Sequence, residues 1–170
     1  MISLDLGCGR NKKKGFIGLD YKNFSKYYPR DEFIQHDLNN RLPFEDNSVD
    51  EIYIRETMEY IDNIFSFIKE LHRVCRNGAK IYIRALHFTN HRVYGLHTRN
   101  FFGFYTIHFK PEKFELVSKE IKFEKRARFF YNYLVELIVN GCWFWGLYEQ
   151  TFLKHLFPAY EIWFELKVIK

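Results

Sequence analysis

At 170 residues the chain is long enough for one sizeable core and too short for two ordinary domains, and 47% hydrophobic with 28% charged residues excludes a disordered chain. An aromatic fraction of 20%, with 19 Phe and 12 Tyr, points to a core built largely of rings. The formal net charge of +5 admits an anionic partner, nucleic acid or anionic lipid, without demanding one.

Cys8, Cys75 and Cys142 lie far apart, with neither the paired spacing of a zinc site nor the even count of a disulfide framework. That usage fits a reducing, cytoplasmic setting and no metal centre. The N-terminus lacks the basic region and long apolar run of a signal peptide. No stretch reaches about 18 uncharged apolar residues, so neither a leader nor a spanning helix is expected.

In chain order, Ile2 to Leu6 is a short apolar run entering the turn Gly7-Cys8-Gly9, which predicts a buried strand. Further strands are expected over Phe16 to Leu19, ending at Asp20, over Phe33 to His36, ending at Asp37, and over Val49 to Ile54. From Met58 to Cys75 apolar residues recur at helical spacing, and Asn77-Gly78 supplies a stop. Ala79 to Ala85 reads as a fifth strand, and Phe114 to Phe123 and Tyr160 to Ile169 alternate as strands. Between those two, Ala127 to Phe157 reads as helical, broken near Asn140-Gly141. Strands alternating with helices or crossovers predict an α/β fold: a mostly parallel sheet, an antiparallel edge and helices on both faces, in a single domain spanning 1–170.

A strand running into Gly-x-Gly lets a ligand approach the backbone closely, since glycine accepts positive φ and has no obstructing side chain. Asp5, Asp20 and Asp37 are expected at the same carboxyl edge of the sheet, where ligands of open α/β folds bind. An adenosyl cofactor suits such a set, because carboxylates can accept from ribose hydroxyls, an adenine amino group and an ammonium. For each Asp, capping a turn or helix is the competing reading.

Leu4-Asp5-Leu6-Gly7-Cys8-Gly9, Gly18-Leu19-Asp20, His36-Asp37-Leu38 and Leu42-Pro43-Phe44-Glu45-Asp46-Asn47-Ser48-Val49-Asp50 resemble, in order, the motifs of class I S-adenosylmethionine-dependent methyltransferases. Glu70 to Gly78 resembles the helix and turn that follow. The resemblance implies a Rossmann-like fold, S-adenosyl-L-methionine as cofactor, a cofactor-binding half over 1–85 and an acceptor-side half over 86–170. Residue by residue, it implies that Asp5, Gly7, Cys8 and Gly9 line the methionine end and that Asp20 accepts from the ribose. It further implies Tyr21 beside the adenine, Asp37 and Leu38 at its amino group, and Arg55 and Glu56 toward the sulfonium and acceptor.

Four features depart from the family pattern. Only Arg10 to Lys14 separates Gly9 from Gly15, so a loop must replace the first crossover helix. A third glycine is absent, with Asn11 near its place. Glu59-Tyr60 stands where Glu-His is frequent, and the chain begins directly at the first strand.

After the fifth strand, His87, His91 and His97 stand among Tyr94, Phe101 and Tyr105, where the family's acceptor pocket lies. The three histidines are candidate bases and the three rings candidate acceptor contacts. Zinc binding is disfavoured because no supporting Cys or carboxylate spacing accompanies them. Leu86-His87-Phe88, His97 to Phe102 and Phe157 to Leu166 resemble a subgroup of small methyltransferases. The segments His87 to Tyr105 and Phe129 to Trp145 are expected to wall the acceptor site. The acceptor is expected to be a small or lipid-like molecule. Lys119, Lys122, Lys125, Arg126 and Arg128, followed by the ring-rich Phe129 to Trp145, also admit nucleic acid or a peripheral membrane contact. A nicotinamide-dependent oxidoreductase is disfavoured by the missing third glycine and phosphate-facing helix start. A non-catalytic binding module on the same fold is the remaining alternative.

Overall fold

The computed structural model describes residues 1–106, 113–126, 129–141 and 144–170, with 144 and 145 described by backbone alone. Seven strands form one sheet: β1 (Ser3–Leu6), β2 (Ile17–Asp20), β3 (Phe33–Gln35), β4 (Val49–Arg55), β5 (Cys75–Leu86), β6 (Phe114–Lys122) and β7 (Glu161–Val168). Their order is β3-β2-β1-β4-β5-β7-β6. The first five are parallel, while β7 runs antiparallel between β5 and β6. This is the Rossmann-like, mostly parallel sheet with a late antiparallel pair that the sequence predicts.

The single helix expected over Met58 to Cys75 divides. A 3₁₀ turn covers Met58–Tyr60, the chain extends at Ile61, and α1 spans Ile64–Val74. Asn63 caps α1 by accepting from the Ser66 N–H at 3.0 Å, and that cap fixes where the helix can start. The expected stop at Asn77-Gly78 falls inside β5 instead. Cys75 already pairs with Val49, and the next register pair is Glu51 with Lys80, so Gly78, at φ +78°, belongs to a bulge.

Alternate residues of each strand face opposite sides of the sheet. On one side Leu4, Leu6, Ile52, Ile54, Ile81, Ile83, Ile162 and Phe164 join Phe67, Ile68 and Leu71 of α1 in a single core. On the other side the register row runs Asp5, Tyr53, Tyr82, Glu165, and the next runs Arg55, Arg84, Trp163, Glu120. That side carries no α-helix in the connections of the first strands, as the short Arg10 to Lys14 loop predicts for the first crossover. β1 connects to β2 by a helix-free loop, β2 to β3 through one 3₁₀ turn (Ser25–Tyr27), and β3 to β4 without a helix. The loop is too short for a crossover helix, and polar side chains on this face tolerate water in its place.

α2 (Asn132–Asn140), α3 (Phe144–Gln150) and α4 (Leu153–Leu156) replace the two helical pieces expected before β7. The break at Gly141 stands as expected. Ala127, Arg128, Cys142 and Trp143 of that stretch lie outside the described residues. α2 runs along the open edge of β6, where Asn140 accepts from the Ile121 N–H (2.9 Å) and donates to its carbonyl (2.8 Å). An edge strand left bare would offer a template for unwanted pairing, so this cover protects β6.

Candidate active site

The chain leaves β1 through Gly7 and Gly9, both at positive φ (+73° and +55°). The Gly7 and Cys8 N–H groups both donate to the Leu19 carbonyl, at 2.8 and 3.2 Å, which pins the turn to the end of β2. A Cβ on Gly7 would lie 2.0 Å from Thr57 Oγ1, whereas one on Gly9 would meet nothing within 4 Å. Gly7 is therefore required by packing, and Gly9 leaves open space at the carboxyl edge for a ligand to approach.

The three predicted carboxylates take different places. Asp20, 8% exposed, accepts from the Gly9 N–H through Oδ2 (3.0 Å) and from the Lys22 N–H through Oδ1 (3.0 Å). Asp5, 2% exposed, accepts from the Lys13 N–H at 2.6 Å, and burial pushes its pKa up. It lies on the open face of the sheet, holding the loop that replaces the crossover helix. Asp37 is exposed and forms an Asx turn, with Oδ1 accepting from the Asn39 N–H at 3.0 Å, while Leu38 packs into the core. Tyr21 is exposed beside Asp20. Burial, aided by Asp5 and Asp20, pushes the Cys8 thiol up to about 12, so it is a neutral lining group.

At the end of β4, Arg55 turns down the open face and donates to the Asn11 carbonyl (3.3 Å). There it joins Lys13, Tyr53, Tyr82, Arg84 and Trp163 around a groove of about 580 Å³, which meets the carboxyl edge only at Asn11 and Arg55. Glu56 sits at φ +46° and pairs with Arg92 at 2.7 Å. A non-glycine residue held in the left-handed region stores strain, which concentrates at functional positions. Arg92 also donates to Tyr160 Oη (2.9 Å), tying β4, the segment after β5 and the start of β7 together.

The segment after β5 closes over the same edge. The Arg99 and Asn100 N–H groups donate to the Glu59 carbonyl (2.7 and 3.1 Å), and the Asn100 side chain donates to the carbonyls of Met58 and Ile61. His91, His97, Tyr94, Phe101 and Tyr105 are exposed, and the Tyr94 and Phe101 rings lie 6.3 Å apart. His87 is different. It is wholly buried: Nδ1 accepts from the Thr89 N–H (3.2 Å), so Nε2 carries the proton and donates to Glu149 Oε1 (3.0 Å). With both nitrogens engaged and no face open, it is a tie between β5 and α3, which corrects its expected role as a base.

Of the second expected wall, Phe129 to Trp145, the residues Cys142 and Trp143 lie outside the described residues. Its described helix α2 packs on β6, two strand spacings beyond β5, or about 10 Å. Glu59, which the sequence marks only as part of a departure from the family's Glu-His, is 1% exposed. Its Oε1 accepts from the Leu86 N–H, its Oε2 has no partner, and burial raises its pKa to about 7. A carboxylate between Met58 and Tyr60, at the start of an apolar-periodic stretch, is the signal that marks its burial. No group of three or more His, Cys, Asp or Glu side chains suited to a metal occurs among the described residues.

A family model described as a methyltransferase domain matches residues 4–83. A comparison with curated protein sequences finds no match. Among solved structures, an S-adenosylmethionine-dependent methyltransferase from Archaeoglobus fulgidus shares the fold with a TM-score of 0.70 at 17% identity, over 97% of this chain and 85% of that one. A second, from Mesorhizobium loti, has a TM-score of 0.65 at 12% identity, covering 98% and 90%. A third match is to the Haloferax volcanii complex between the Trm112 methyltransferase activator and a methyltransferase, with a TM-score of 0.64 at 18% identity, covering 98% and 81%. The glycine turn and the strand-end residues lie inside the span that matches the methyltransferase-domain model, and the chain as a whole shares the fold of these S-adenosylmethionine-dependent methyltransferases.

Proposed function

We propose that the protein transfers a methyl group from S-adenosylmethionine, held along the carboxyl edge of β3, β2, β1 and β4, to a small or lipid-like acceptor entering beyond β4 and β5. The observation that carries this reading is spatial order. Asp37, Asp20, the Gly7 to Gly9 turn and Glu56 end four neighbouring strands, spanning about 15 Å at the point where the strand order reverses.

The cofactor would supply an activated methyl group on a sulfonium, so the chain's own residues need only bind, orient and exclude water. Asp37 would take the adenine amino group through Oδ2 with the Leu38 backbone nearby, and the exposed Tyr21 ring would pack beside the adenine. Each Asp20 oxygen keeps a lone pair for a ribose hydroxyl beyond the backbone N–H it already accepts. Gly9 leaves room for the methionine portion, lined by Gly7 and Cys8, while Asp5 acts through the loop it holds. Glu56, with Arg55 beside it, borders the sulfonium side. Tyr94, Phe101 and Tyr105 are the acceptor-side rings, and His91 and His97 are the exposed groups able to take a proton from a hydroxyl or amine.

Calorimetric titration with S-adenosylhomocysteine tests the reading: one site per chain is expected. Absence of binding by either S-adenosylmethionine or S-adenosylhomocysteine would transfer the assignment to a non-catalytic binding module.

A further inference from the structure

α2 is amphipathic with its polar side turned inward. Asn132, Glu136 and Asn140, spaced one turn apart, face β6 and the chain that follows it. The Asn132 side chain donates to the Glu124 carbonyl (2.7 Å), Glu136 accepts from the Phe123 N–H (3.1 Å), and Asn140 holds Ile121. Covering a strand edge needs polar groups, and this row supplies them. The cost is that the apolar side of the helix faces water.

Phe130 is 75% exposed, Leu137 72%, and Tyr133 and Leu134 lie on the same side. α2 packs beside α3 and α3 beside α4, where Phe152 is 68% exposed and Leu156 lies one turn further on. The Tyr131 and Phe157 rings, 5.9 Å apart, bring the start of α2 beside the end of α4. Apolar faces of this kind on a water-soluble surface mark an interaction site.

Charge selects the occupant. From Phe129 to Phe157 the sequence holds two acids, Glu136 and Glu149, and both are buried, Glu149 against His87. The outward surface of this stretch therefore carries no carboxylate among its described residues, and Lys125, Arg126 and Lys154 border it; Lys125 pairs with Glu136 (2.9 Å) and Arg126 with Glu124 (2.7 Å), the cation being the more exposed partner in each pair. A second copy would bring one basic border against another, whereas anionic headgroups would complement it. No helix among the described residues is long and apolar enough to cross a membrane, which leaves the in-plane arrangement for these short helices.

We infer that α2 and α4 form a membrane-docking face that lies on an anionic lipid surface, with Phe130, Leu134, Leu137 and Phe152 entering the acyl boundary. The test is co-sedimentation of the full chain with phosphatidylcholine vesicles, with and without phosphatidylglycerol. Binding to the mixed vesicles is expected, weaker on phosphatidylcholine alone and reduced by added salt. Leu134→Glu and, on the other helix, Phe152→Glu should each lower partitioning roughly tenfold while leaving the thermal midpoint unchanged, because both side chains are exposed. Three results would overturn the inference: wild type remaining in the supernatant, both variants sedimenting like wild type, or lipid-free self-association abolished by both variants without any vesicle binding.

Discussion

Glu149 accepts from His87 Nε2 at 3.0 Å, both side chains buried, and the same Glu149 oxygen accepts from the Phe104 N–H. One carboxylate thus joins α3, the end of β5 and the segment that follows it. Glu149→Ala would leave two buried donors unsatisfied and should cost about 2–4 kcal/mol, whereas Glu149→Gln retains an acceptor and should cost less than half as much. Urea unfolding of the two variants decides the matter, and equal midpoints would show that the tie contributes nothing.

Asp20 holds the Gly9 turn and, on the proposed reading, also accepts from the cofactor. Asp20→Ala should weaken S-adenosylhomocysteine binding at least tenfold, because charge-assisted acceptors contribute about 1.5–3 kcal/mol each. It should also lower stability by about 1 kcal/mol through the freed Gly9 and Lys22 N–H groups. Calorimetry and denaturation on one preparation separate the two effects. A variant that loses stability yet binds like wild type would make Asp20 a turn cap alone.

Gly7→Ala should destabilise through two additive causes, the clash with Thr57 Oγ1 and the positive φ. In the Thr57→Gly background the clash disappears. The remaining penalty there should be about 1–2 kcal/mol, the ordinary cost of a left-handed alanine. A double-mutant cycle measures the coupling, and strict additivity of the two single effects would show that Thr57 does not obstruct the position.

Glu59 gives a pH signature. Its folded pKa of about 7 stands above the ordinary value of 4.5, so the folded chain binds the proton more tightly than the unfolded chain. Its contribution is present in full below about pH 4.5 and is lost as pH rises through about 7, on the order of 3 kcal/mol in total. Glu59→Gln should flatten that part of the profile and stabilise the protein at about pH 8 relative to wild type. Urea midpoints across this window for both proteins provide the check. Parallel profiles would place the titrating group elsewhere, with Asp5 and Glu161, both raised by burial, next in line.

Much of the architecture is legible in the residues themselves. Short apolar runs ending at Gly7, Asp20 and Asp37 announce parallel strands whose ends gather at one edge. The bare face was equally present in the sequence: Lys80-Ile81-Tyr82-Ile83-Arg84 alternates polar with apolar, the mark of a strand wet on one side, although a central parallel strand is normally apolar on both. The roles of the late helices were not legible. His87 meets Glu149 across 62 positions, and no local pattern reports so distant a partner. In α2 the apolar residues outnumber the polar row, and no local pattern announces that Asn132, Glu136 and Asn140 serve the end of β6 and the chain after it.

The helix-free passage from β1 to β2 has a consequence for the thermodynamics of ligand entry. Around it, the Lys13 N–H is held by Asp5, the Gly9 N–H by Asp20, the Gly9 carbonyl by the Tyr28 hydroxyl and the Lys12 ammonium by Glu32. A passage fastened at so many points has little conformational entropy left to surrender when it closes on a ligand. The free energy that a mobile loop would lose in ordering itself therefore remains available as affinity, and a chain without the first crossover helix can still present a rigid floor at its carboxyl edge.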